Sequence, residues 1–372
     1  MLLTLLLSPA ALGSPSAPSA AAVRETVAPV LDVLATHFNT SYAFGWAAPG
    51  WDTDANDQAS RVALASGRDG KAGPLSTATR FPAGSVTKAW TGAAVLQLVD
   101  AGVYGLDDRV APIIDPVLQA GMGETMATLW SAVDDAAHVA AITLRDLLGM
   151  TSGLNDYDDG QIYSWTWEHR ASSATTSVDI SPFELLRDVN KTLTCRAATP
   201  SAKCPGYYSS INYVLLGFAV QAARGVAVWS DWDQRDVVAR GSLSARAVRS
   251  FDNVTFPTRG ACSAYRDVAH QYGGLPSTLL SHDAGDTNHL FYDLIDYSCL
   301  NGWAMGNIAA RPVDMASFQQ LLWTPGKLVS ATSVAALDAA PKKLTNAWAN
   351  GMEYGLATEF TDWKYLASEG FD

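Results

Sequence analysis

A mixed α/β (α+β) fold is what the sequence predicts, on three observations. Two short β-type runs, residues 42–46 and 61–65, stand close together early in the chain. Behind them, residues 89–99 are apolar on nearly every face, with Thr91 and Gln97 the main exceptions, which marks a helix buried all round. The length of 372 residues, with 48% apolar and 17% charged, is enough for one large domain or two ordinary ones with a full core.

Each element follows in order. Val27, Val30, Leu31 and Leu34 recur at helical spacing and predict a first amphipathic helix near residues 24–37. The two β-type runs come next, and the polar turn Asp69-Gly70-Lys71 closes the second. Pro82 and Gly84 then break the chain before a helix that starts near Ser85 and runs to about Gly102, a residue suited to the position after a helix end. Residues 142–148 form a short helical piece ending at Thr151-Ser152-Gly153-Leu154. Residues 213–222 give a further apolar helix, residues 314–322 a last amphipathic one, and Tyr354-Gly355-Leu356 opens a candidate strand. Residues 155–205 and 225–300 are polar, aromatic and turn-rich, and are expected as insertions carried by a helical lobe. There is no internal repeat and no long linker.

Charge narrows the function classes. A formal charge of −12 repels phosphate at long range, and no basic run offsets it, so neither nucleic acid nor anionic membrane is an expected partner. No stretch reaches the roughly 18 apolar residues of a membrane span. Residues 1–22 read as an export signal, an apolar run followed by Ala, Ser and Pro, although no Lys or Arg precedes residue 23. Cys195, Cys204, Cys262 and Cys299 are few and even in number and form no CxxC pair, which argues against zinc and thioredoxin-type sites. Of the three possible pairings, Cys195–Cys204 and Cys262–Cys299 are favoured, because each closes a loop in an irregular region; the alternative is four free thiols in a cytosolic protein. Glycosylation sequons occur at Asn39, Asn190 and Asn253. Together these features point to a secreted protein or one in the lumen of the secretory pathway.

The chemistry starts at Ser85-Val86-Thr87-Lys88. Residues three apart on a helix share a face, so the Lys88 amine lies within reach of the Ser85 hydroxyl. Serine is a poor nucleophile until a base takes its proton, and lysine is a base only when neutral. Burial in an apolar helix and the positive helix N-terminus both lower the lysine pKa, and the same terminal amides can stabilise an oxyanion. No other lysine in the chain has a serine three residues before it. The competing reading is a lysine snorkelling from a core helix.

Residues 80–88 (RFPAGSVTK) resemble the first motif of the serine β-lactamase and penicillin-binding-protein (DD-peptidase) superfamily, and the resemblance continues through residues 93–102 and 106–110. Residues 142–154 (ITLRDLLGMTSGL) are similar to the family's next signature, with Met150 where His is usual. Pro205-Gly206-Tyr207-Tyr208-Ser209-Ser210-Ile211-Asn212-Tyr213, followed by Leu215-Leu216-Gly217, resembles the second catalytic motif and implies Tyr208 as the proton-shuttling tyrosine, its pKa lowered by nearby ammonium charge. Ser210 stands where the family usually has Asn, and is implied as a substrate-binding residue. Residues 302–322 resemble a structural landmark of the family.

The resemblance implies an antiparallel sheet flanked by helices plus a helical lobe. It also implies an acyl-enzyme mechanism on an amide or ester, a small-molecule or peptide substrate, and no cofactor and no metal. The family's third motif, Lys-Thr-Gly or His-x-Gly, is not evident: Ser368-Glu369-Gly370 falls at a plausible distance but brings an acid. The sequence is therefore expected to lack the last sheet strands, with residues 23–372 as one incomplete hydrolase domain that is expected to be inactive or nearly so as it stands. The expected function is a serine hydrolase of peptidase or esterase type; the alternative is a non-catalytic binding or scaffold descendant of the same fold. No Gly-x-Ser-x-Gly elbow and no His-Glu-x-x-His occurs, which disfavours α/β-hydrolase and zinc-protease chemistry.

Overall fold

Ser19 starts the first helix, α1 (Ala20–His37), its hydroxyl accepting from the Ala22 amide. The structure is a computed structural model, and it describes residues 18–54, 57–69, 73–131, 136–157, 179–195, 204–273, 292–299, 302–346, 349 and 351–361. The helix begins four residues before the expected start. Its buried stripe runs through Ala20, Val23, Leu31 and Ala35 and leaves Val30 exposed, contrary to the expected spacing.

Strands β1 (Tyr42–Ala47) and β2 (Arg61–Ser66) pair antiparallel, Tyr42 opposite Ser66 and Ala47 opposite Arg61. Alternation along the pair sorts its two faces. Phe44, Trp46, Val62 and Leu64 pack with Ala20 and Val23 of α1. The opposite face, at Gly45, meets α7 (Pro312–Leu322): a Cβ at Gly45 would lie 2.2 Å from the Pro312 carbonyl carbon, so glycine is required by the close approach.

The buried helix expected near Ser85 is α2 (Thr87–Asp100), preceded by a 3-10 turn over Gly84–Val86 and closed by Gly102 at φ +70°. Residues Thr87 to Leu96 and Leu98 are all buried. Trp90 stacks on Phe318 of α7, ring centroids 3.8 Å apart, and so joins α2 to the sheet side of the molecule. α2 also packs against α6 (Ile211–Arg224), around which the rest of the helical lobe gathers: α3 (Val110–Met122), α4 (Leu144–Leu148) and α5 (Pro182–Asp188). Thr143 and Ser181 form capping boxes with Asp146 and Glu184, which set the starts of α4 and α5.

Residues expected as an insertion beyond 225 contribute Trp232, Val237, Val238, Ala247, Phe251 and Val254 to the main core, so this stretch is woven into the domain. The segment expected to open a strand at Tyr354 instead closes one. Strand β6 (Met352–Tyr354) pairs with β5 (Lys342–Lys343) and, through a tight turn, with β7 (Glu359–Thr361), all antiparallel. The two-residue strands β3 (Phe81–Pro82) and β4 (Ala309–Ala310) form another antiparallel pair. The described sheet is thus split into small antiparallel pieces flanked by helices, a mixed α/β molecule.

Candidate active site

The β3–β4 pair fixes the approach to Ser85. Ala83 donates to the Ile308 carbonyl at 2.9 Å, and Gly84, at φ +50°, turns the chain into the helix. The Thr87 hydroxyl donates to the Gly84 carbonyl at 2.8 Å and accepts from the Ile308 amide at 2.9 Å, pinning the turn from beneath. Ser85 is thereby left exposed while Lys88, one turn on, is 2% exposed.

Three donors leave the Lys88 ammonium, and each has a partner: Ser85 Oγ at 2.9 Å, the Met305 carbonyl at 3.0 Å and Ser210 Oγ at 3.4 Å. Burial lowers the Lys88 pKa from 10.5 to about 8, opposed in part by the charges of Asp156 and Glu359. A base poised near 8 is partly neutral at physiological pH, as proton abstraction from a serine needs.

Tyr208 OH donates to Ser85 Oγ at 2.8 Å, so Ser85 is held between lysine and tyrosine. The neighbouring Tyr207 turns away and donates to Asn155 Oδ1 at 3.3 Å. The Tyr208 pKa is a correction to the sequence reading. Desolvation drives it well above the usual phenol value, and the hydrogen bond with Ser85 lowers it only in part. Tyr208 is therefore a neutral phenol here, able to relay a proton but not to start as the base. Ser210 stands at the N-cap position of α6 with no side-chain capping bond, and its amide donates to Asp156 Oδ1 at 2.9 Å. At 3.4 Å its hydroxyl meets Lys88 where the family's usual Asn would present an amide.

Four further groups complete the arrangement. Asp156 accepts from the Ser210 and Tyr157 amides. Asn346 clamps the Tyr208 backbone from both sides, its Oδ1 accepting from the Tyr208 amide at 2.6 Å and its Nδ2 donating to the Tyr208 carbonyl at 3.1 Å. The Met305 carbonyl holds Lys88, and Glu359 acts on it through charge. Asp156 lies two residues beyond the 142–154 segment and was within reach of sequence reasoning. Asn346 carries no local pattern and meets Tyr208 across 138 residues.

Met150, in the family's usual His position, lies at φ +56°, and its sulfur accepts from the Ser209 amide at 3.4 Å and from Asn212 Nδ2 at 3.3 Å. Beneath this corner Cys195 and Cys204 stand at disulfide distance, Cα atoms 5.8 Å apart, and Cys262 and Cys299 likewise at 4.5 Å. Asn39, Asn190 and Asn253 are all exposed. Ser368-Glu369-Gly370 lies outside the described residues. Among the described residues no group of three or more His, Cys, Asp or Glu side chains is arranged to hold a metal, and no helix is long and apolar enough to cross a membrane.

The profile of the β-lactamase family matches residues 53–363. No curated protein matches the chain by sequence. Among solved structures, the D-amino acid amidase from Ochrobactrum anthropi SV3, complexed with D-phenylalanine, superposes with a TM-score of 0.64 at 17% identity, over 92% of this chain and 82% of that one. A penicillin-binding protein from Bacillus halodurans gives 0.57 at 16% identity, over 89% and 84%. EstCE1, a hydrolase with promiscuous acyltransferase activity, gives 0.53 at 16% identity, over 92% and 84%.

Proposed function

The chain belongs to the β-lactamase family, and on that premise we propose that it is a serine hydrolase cleaving an amide or ester through an acyl-enzyme on Ser85. One observation carries this reading: Ser85 Oγ sits between Lys88 Nζ at 2.9 Å and Tyr208 OH at 2.8 Å. In the reaction, neutral Lys88 takes the Ser85 proton as Oγ attacks the substrate carbonyl carbon. The nucleophile stands at the positive N-terminal end of this helix, which favours the negative charge that develops on the oxyanion. The tetrahedral intermediate collapses and expels the amine or alcohol, which receives the Lys88 proton through the Tyr208 hydroxyl. A water molecule, losing its proton along the same route, then attacks the acyl carbon, and the acid product leaves as Ser85 recovers its proton.

An amidase, peptidase or esterase fits better than a β-lactamase, because Ser210 replaces an amide side chain with a shorter hydroxyl. The amidase and hydrolase named among the structural relatives lend the same direction. The exposed sequons and the two cysteine pairs at disulfide distance support action outside the cytosol, in the secretory pathway or beyond it.

Labelling with a neutral fluorophosphonate probe, followed by peptide mapping, tests the reading. The expected result is a single adduct on Ser85 that is absent from Ser85→Ala. A folded protein that takes no label would overturn the hydrolase reading and leave a binding or scaffold role.

A further inference from the structure

We propose that the mouth of this site selects substrates bearing a positive charge beside the scissile carbonyl, with Glu359 setting the preference and Asp156 reinforcing it from within. The inference rests on the serine-hydrolase reading and names the substrate class for it. In the β6–β7 hairpin Glu359 stands directly opposite Tyr354, so the two side chains share a face of the sheet. The Tyr354 ring packs edge-on against Tyr208, centroids 5.9 Å apart, and Tyr208 touches Ser85. Glu359 therefore projects from the face that looks onto the nucleophile. It is exposed, and among the described residues its carboxylate has no hydrogen-bond or ion-pair partner.

Asp156 approaches from the helical lobe, where the Ser210 and Tyr157 amides hold its carboxylate in place. The charges of both acids reach Lys88 and Tyr208. Two carboxylates thus face one reacting centre from opposite walls. The single ammonium between them has its three donors committed to Ser85, Ser210 and Met305. The nearest cation on the same row, Lys342, lies on the far side of Tyr354, one strand further from Glu359. An anionic acyl group would meet net negative potential here, and a cationic one would complete it.

The test compares two p-nitrophenyl esters of the same shape, that of trimethylglycine, which is permanently cationic, and that of 3,3-dimethylbutanoate, its neutral carbon counterpart. Each kcat/KM is divided by the ester's own hydroxide rate. The expected preference for the cation is about tenfold at low salt, the scale of one charge pair near a protein surface, and it shrinks as ionic strength rises. Glu359→Gln should bring the ratio toward one, and Glu359→Lys should invert it. A ratio of one in the unaltered protein, or a ratio that neither substitution moves, would overturn the proposal. Fluorophosphonate labelling of Ser85 separates the two readings. A labelled Ser85 without charge preference sinks this inference alone; an unlabelled Ser85 sinks the hydrolase reading and this inference with it.

Discussion

Lys88 is where stability and activity pull apart. Its folded pKa is lowered from 10.5 to about 8 by burial, so the native state disfavours the charged form. The sign follows: below about 8 the full penalty is present, and it is relieved as pH rises from 8 towards 10.5, where the unfolded chain binds the proton and the native state does not. At 1.36 kcal/mol per unit the penalty near neutrality is about 3 kcal/mol. Lys88→Met should therefore raise the midpoint of thermal unfolding at pH 7 while abolishing turnover, a pairing checked by calorimetry beside an ester assay. A variant both inactive and less stable would show that the three hydrogen bonds of Lys88 outweigh its desolvation. The Ser85–Lys88 relation was legible in the sequence because it is local, one helical turn. The Tyr208 pKa was misread because its direction depends on burial, with Tyr354 packed edge-on against it, which the chain brings about only on folding.

Among the elements, the described hairpins and helices differ from the sequence reading mainly at their ends. Strands β1 and β2 and helices α2, α6 and α7 were visible from periodicity, and their boundaries moved by a few residues. The C-terminal hairpin was misassigned at Tyr354, because the turn is set by the Gly355 amide donating to the Thr358 carbonyl rather than by a proline or a glycine pair. Two consequences follow at this scale. Gly45→Ala would drive a Cβ into the Pro312 backbone, which cannot move without shifting α7. The expected cost is about 1–3 kcal/mol, read from denaturant midpoints, with the catalytic distances preserved. Asn346→Ala would release the Tyr208 backbone without touching substrate. The expected loss is about 10–10²-fold in kcat with KM little changed, since a misplaced relay slows chemistry more than binding. Asn346 had no sequence signal, because its role is defined only by a contact across 138 residues.

Across the whole molecule, the nucleophile's helix acts as an axle between the sheet side and the helical lobe. Trp90 stacks on Phe318, and Gly92 gives way to the turn of the β6–β7 hairpin, where a Cβ would lie 2.1 Å from that of Ala357. Cys195 stands at disulfide distance from Cys204, four residues before Tyr208, and Cys262 from Cys299. Reduction is expected to destabilise the protein by about 2–4 kcal/mol per bridge, measured as a drop in urea midpoint with and without reductant. An unchanged midpoint would show that neither pair is bonded in solution. The general fold was readable from the sequence because the buried helix and its flanking motifs are contiguous. The weaving of residues 232–254 into the core was not, since their apolar residues are scattered among polar ones and find a common surface only in three dimensions.

The pH dependence of Ser85 acylation bears most directly on the central claim. For a neutral ester, kcat/KM should climb as pH rises through about 8, where Lys88 loses its proton, and then level off, with Ser85→Ala flat at background throughout. A rate independent of pH between about 6 and 9, or turnover that survives in Ser85→Ala, would contradict the assignment of Lys88 as base and Ser85 as nucleophile.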